Sequence, residues 1–161
     1  MKHRKYDVKD LTWAGLIAAL YVLLTLFAQM LGMASGVIQI RISEALTVLP
    51  VFTAAAVPGL TVGCLLANFM TGCAAWDVVF GTLATFLGAV GTRIIGRKVP
   101  ALGPVFPIAA NCLIVPPVLM HVYGAEQAWW FLVLTVGIGE ILSCGVLGWL
   151  LYRALKNTKI F

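Results

Sequence analysis

The stretch QIRISEALTVLP at 39–50 sets Arg41 and Glu44 at the mouth of a hydrophobic run. Asn111 and Glu140 lie deeper, inside apolar segments, and Asn68, Trp76 and Asp77 stand near the ends of others. Ionisable groups in such surroundings are expensive, so they face a cavity or a partner and often mark a solute path. Two or three carboxylates against one arginine favour a ligand that donates hydrogen bonds or carries positive charge, since a carboxylate only accepts. With Gln39, these residues describe an outward-facing pocket, apolar and aromatic-lined with a few convergent polar groups.

Each residue also has a plainer reading. Glu140 either meets a ligand or ion, or pairs with Arg41, or is protonated and hydrogen-bonded between helices. Gly137, Glu140, Cys144 and Gly148 recur at helical spacing and form a small-residue face that packs inward. Asn111 either touches ligand or joins two helices. Asp77 precedes an apolar helix, where an aspartate serves as an N-cap. Trp76 is a stacking surface for an aromatic ligand or an interfacial anchor. His121, Tyr123, Glu126 and Gln127 flank one loop, and the first two read as loop or interface residues. Cys64, Cys73, Cys112 and Cys144 are scattered, with no CxxC pair and no histidine at ligand spacing. They read as packing residues, and neither a metal nor a cofactor is expected.

Apolar helices must hold these groups. Of 161 residues 61% are hydrophobic and 11% charged, where soluble chains carry about 25% charged residues. Several runs reach the roughly 20 apolar residues that cross a bilayer. The expected fold is all-α: a single membrane domain over 1–161 with six transmembrane helices. They fall at about 11–32, 43–57, 60–73, 77–96, 104–121 and 127–154, with a loop at 33–42. Pro58-Gly59 is expected to end the second helix, Pro50 to kink it, and Pro116-Pro117 to disturb the fifth near one end. The basic N-terminus and its long apolar run resemble a signal peptide, but the run exceeds an h-region and reads as a retained first helix.

Charge sets the orientation. Lys2, Arg4, Lys5 and Lys9, then Arg93, Arg97 and Lys98, then Arg153, Lys156 and Lys159 all fall on one side of a six-span chain. The positive-inside rule makes that side, with both termini, cytoplasmic. Arg41 alone lies opposite. The net charge of +5 is therefore topological and does not point to nucleic acid. GTRIIGRKV at 91–99 has the glycines of a phosphate-binding loop, but its lysine is displaced, Val99 replaces the hydroxyl residue, and it closes an apolar helix. Nor is there a nucleophile–base pair or GxSxG or HExxH motif, so no enzyme is expected. What remains is a solute-binding membrane protein, ion-coupled or a subunit of something larger. Ala14, Gly15, Ala18 and Ala19 form a small-residue patch on the first helix. Ala14 and Ala18, at small-xxx-small spacing, suit close helix contact with a partner or within the chain.

RISEALTVLPVFTAAAVPGLTVGCLLAN and WDVVFGTLATFLGA resemble the QueT family, substrate-binding S components of energy-coupling-factor (ECF) transporters associated with queuosine precursors. The resemblance implies a six-helix S component in a bacterial cytoplasmic membrane, its site near the outer face and gated by the loop after helix 1. It implies a complex with a coupling subunit, docked through Ala14 and Ala18, and with two cytosolic ATPase subunits. It further implies toppling in the membrane to release a 7-deazaguanine base such as 7-aminomethyl-7-deazaguanine or queuine. On that basis Glu140 or Asp77 reads the guanine-like edge, Asn111 bonds another polar edge, and Glu44 is held by Arg41 or meets an amine. An S component for another flat vitamin such as thiamin or riboflavin, or a solitary ion-coupled carrier, are the alternatives.

Overall fold

The computed structural model describes residues 7–33 and 38–158, all of whose regular elements are helical. Lys2, Arg4, Lys5 and Lys159, and residues 34–37 of the first loop, lie outside the described residues. Helix α1, Val8–Met30, starts from a capping box in which the Asp7 carboxylate accepts from the Val8 N–H at 2.7 Å and Asp10 reaches back to Asp7. It turns Ile17, Ala18, Tyr21 and Ala28 inward. It ends at Gly32, whose φ of 72° suits a residue without Cβ.

The chain then folds back into the bundle. The Gln39 backbone lies against Gly139, where a Cβ would strike the Gln39 carbonyl, and the Arg41 N–H donates to Ser143 Oγ at 3.2 Å. From there the second helix departs from expectation. A 3-10 helix covers Ile42–Val51 with Pro50 inside it, and α2 begins only at Ala56 and runs to Met70. Pro58 and Gly59, expected to separate two helices, sit in the first turn of α2 instead. There the missing proline N–H is one of the donors left unpaired in any case. Gly59 serves packing: a Cβ would lie 2.8 Å from the Ala14 carbonyl, and one on Gly63 3.0 Å from Ala18 Cα. These pairs set α1 and α2 side by side and parallel, so the 3-10 helix makes the return journey between them. Residues 43–50 are buried throughout.

Three longer rods complete the bundle. Helix α3, Ala75–Gly91, continues through a π turn at Thr92–Gly96. Helix α4, Val105–His121, follows a short 3-10 turn at Pro100–Leu102 and runs through Pro116-Pro117, which removes two donors without ending it. Helix α5, Trp129–Glu140, widens into a π segment, Ile141–Leu147, and closes as α6, Gly148–Leu155. Gly88 lets α3 meet α4, since a Cβ would fall 2.7 Å from Pro107 Cα.

Among the described residues, Val8–Met30, Ala75–Gly96, Pro100–His121 and Trp129–Leu155 are the four rods long and apolar enough to cross a membrane; Ile42–Val51 and Ala56–Met70 are shorter. Many large apolar side chains face outward, among them Leu23, Phe27, Phe69, Leu113 and Leu150, which suits lipid contact. One end of the bundle is basic. Lys9 and Arg93 line one small cavity, Arg93 Nη1 donates to the Pro50 carbonyl at 2.9 Å, and Tyr152, next to Arg153, stacks on Phe52.

Candidate functional site

Away from the basic end, two lobes of about 390 and 430 Å³ meet at Gln39, Arg41, Val115 and Leu119. The fold-back of 38–41 makes that junction, since it carries Gln39 and Arg41 between α1 and α5. Irregular backbone is tolerated there because the cavity and the surrounding helices satisfy it.

The first lobe takes Asn68 from the end of α2 and Asp77 from the start of α3. Capping of α3 was the plainer of the two readings of Asp77, but Ala74 is the N-cap and Asp77 is the third residue of the helix. Its carboxylate still profits from the helix N-terminus, and it accepts from Tyr123 Oη at 2.9 Å. Tyr123 in turn accepts from the Ala74 N–H at 3.1 Å and so ties the α4–α5 loop across the lobe. Partial burial, aided by the Asp77 carboxylate, pushes the Tyr123 phenol up to about 12. Gly81, one turn below Asp77, leaves room for the Asn68 amide, which a Cβ would approach to 3.0 Å.

The second lobe takes Asn111 from α4, Glu140 from the end of α5, and Gln127 from the loop. Asn111 and Glu140 are 4% and 8% exposed. Glu44 lies behind this lobe, 1% exposed. Its carboxylate accepts a hydrogen bond from the Tyr21 hydroxyl, a partner additional to the Arg41 or ligand amine that the resemblance implied. Cys144, read from sequence as packing, donates from Sγ to Glu140 Oε2 at 3.1 Å. The side-chain ligand atoms of Glu44, Glu140 and Cys144 lie within 4.8 Å of one another, close enough to surround a cation.

Some predicted residues stay apart. Trp76 is 62% exposed, stacks on Phe80 with centroids 5.8 Å apart, and lines a separate apolar groove with Pro117 and His121. Ala14 and Ala18 pack against Gly59 and Gly63, so this chain already uses that face; Gly15 and Ala19 beside them are exposed. Sequence reasoning missed Tyr21, Ser143 and Thr47, polar groups inside apolar runs. Thr47 donates to the Glu44 carbonyl at 2.6 Å. The signal for Cys144 was its position one helical turn beyond Glu140.

A model of the QueT transporter family matches residues 11–157. The chain belongs to the QueT transporter family. It is similar to the queuosine precursor transporter QueT of Lactococcus lactis subsp. cremoris (strain MG1363), 33% identical over 85 residues. That match covers 52% of this chain and 49% of the relative, so the chain spans about half of the relative's length. No solved structure matches the chain significantly. Family and apolar rods together describe a multi-pass membrane protein.

Proposed function

We propose that this protein is the substrate-binding S component of an ECF-type importer for queuosine precursors, 7-deazaguanine bases such as 7-aminomethyl-7-deazaguanine or queuine. The observation that carries the reading is the two-lobed cavity. Each lobe has the volume of a small-molecule site, about 300–1,000 Å³, mostly apolar walls and a few inward polar groups. Asp77, beside Asn68, suits the paired N–H donors of a guanine-like edge, and Arg41 suits a carbonyl on the same ring.

The described cations Lys9, Arg93 and Arg153 share the end opposite Asp77, which favours six crossings with that end and both termini in the cytoplasm of a bacterium. The cavity then opens outward, and the chain itself performs no chemistry. Energy comes from two ATPase subunits acting through a coupling subunit. Because α2 occupies Ala14 and Ala18, the coupling subunit is met by the exposed Gly15 and Ala19, which keep the same spacing.

Titration of the purified chain with labelled 7-aminomethyl-7-deazaguanine tests the binding role. Asp77→Asn is expected to weaken binding by about 10- to 100-fold, the worth of a hydrogen bond to a charged group. Wild-type affinity in that variant refutes the assignment of the edge. Uptake by cells expressing this chain alone, without coupling subunit or ATPases, refutes the S-component reading.

A further inference from the structure

The α4–α5 loop, residues 122–128, borders both lobes: Tyr123 lines the first, and Ala125 and Gln127 line the second. Gly124 has a φ of 64° and would meet nothing within 4 Å if it carried a Cβ, and residues 126–128 are exposed. The Val122 and Ala125 N–H groups bond back to Val118 and Leu119 of α4 itself. Among the described residues, the hydrogen bonds that carry the loop across the cavity are the two made by the Tyr123 hydroxyl, to Ala74 and Asp77. By contrast, 38–41 is seated against α5 through Gly139 and Ser143. A loop with few buried contacts and one anchoring side chain opens at low cost.

The anchor is built into the start of α3. Ala74 is the N-cap and Asp77 the third residue of the helix. These are the two positions that close a capping box, in which the acid takes the N-cap N–H directly. Here a phenol from a distant loop stands between them. The Ala74 N–H can only donate, so the Tyr123 oxygen accepts from it at 3.1 Å and points its own proton at Asp77 Oδ2, 2.9 Å away. Asp77 Oδ1 lies toward Gly81, where a Cβ would stand 3.7 Å from it. A carboxylate offers about four acceptor positions, so Asp77 can hold Tyr123 and still take N–H donors from a ligand. Without the phenol, Asp77 is free to close the box itself and turn back from the lobe.

We propose that Tyr123 is a positioning residue with two effects through one hydroxyl: it latches the α4–α5 loop over both lobes, and it keeps the Asp77 carboxylate from folding back onto the Ala74 N–H. This rests on the cavity being the ligand site and on Asp77 reading the ligand's edge. It makes cover and recognition group one unit, because the carboxylate is preset for the ligand only while the loop is shut.

Two measurements on the purified full-length chain test it. Without ligand, hydrogen–deuterium exchange of the peptide covering 122–128 should run about 3- to 10-fold faster in Tyr123→Phe, the worth of a hydrogen bond at a half-exposed residue. Asp77→Ala should loosen the loop in the same direction. In a Tyr123→Phe background it should add nothing, since the bond it removes is already gone. In binding kinetics with labelled 7-aminomethyl-7-deazaguanine, Tyr123→Phe should associate about 3- to 10-fold faster and dissociate faster still. Affinity then falls although access improves. Were Tyr123 simply a ligand contact, dissociation alone would rise, and that result overturns the proposal, as does loop exchange equal to wild type. Wild-type rates in Tyr123→Phe overturn the latch and leave the cavity reading standing. No binding by the wild type overturns both.

Discussion

Tyr21→Phe removes a single oxygen from beneath Glu44. Tyr21 is 1% exposed and its ring packs in the central apolar cluster with Ile17, Leu46 and Leu60. Phenylalanine keeps that packing, so no cavity opens and the change removes the hydrogen bond from the Tyr21 hydroxyl to Glu44 together with the hydroxyl's contact to Cys64. Hydrogen bonds to charged groups contribute about 1.5–3 kcal/mol. For a chain of this size, each kcal/mol moves the midpoint roughly 2–4 °C, so the variant should melt roughly 3–12 °C below wild type. Thermal unfolding of the purified protein, followed by tryptophan fluorescence, measures this. Tyr152→Phe is the control, because Tyr152 contributes its ring to a stack with Phe52 and Trp149; it should melt with the wild type. If Tyr21→Phe also melts with wild type, Glu44 has another donor and the floor of the second lobe is not built as described.

Gly63→Ala would bring a Cβ to 2.8 Å from Tyr21 Cβ and force α1 from α2; a loss of about 1–3 kcal/mol is expected in the same melting assay. Gly15→Ala, which meets nothing within 4 Å, should be neutral there. Gly139→Ala should push the 38–41 segment out of its seat against α5, lowering ligand affinity in equilibrium titrations while circular dichroism keeps the helical signal. Tyr123 should titrate near 12 by phenolate absorbance. The fold favours its neutral form, so its contribution to stability is complete below the unfolded value of about 10 and lost as pH rises through the folded one. Tyr123→Phe should flatten that part of the alkaline stability profile.

The membrane class and the four long rods were legible because an apolar run of spanning length has few other meanings. So was the set of polar groups: a lone Glu140 or Asn111 in such a run stands out, and both border the cavity with Asp77, Asn68, Gln39 and Arg41. The 3-10 helix was not legible. Residues 43–50 are buried throughout, so the segment has no exposed face to reveal its period, and Pro50 fits a kink as well as a tighter coil. Pro58 reads as a helix end or as a helix start, and only packing on Ala14 decides. Tyr21 gave no warning, since a tyrosine among leucines looks like any apolar aromatic and its partner lies 23 residues away. Trp76 misled for the converse reason: next to Asp77 in sequence, it points along another face of α3 and into a different groove.

The enclosed 3-10 helix bears on how the protein is made. Ten residues at a rise of about 2 Å reach about 20 Å, short of the roughly 30 Å hydrocarbon layer. Ser43, Glu44 and Thr47 would meet lipid if the segment entered alone. One wall comes from α1, α2 and α3 with its π turn, but the other is the π segment and α6, from the far end of the chain. At synthesis rates of about 5–20 residues per second, Val51 emerges roughly 5–20 s before that second wall exists. Until then the centre of the finished protein must be sheltered by α1, by α2 and α3 as they follow, and by the machinery that inserts it.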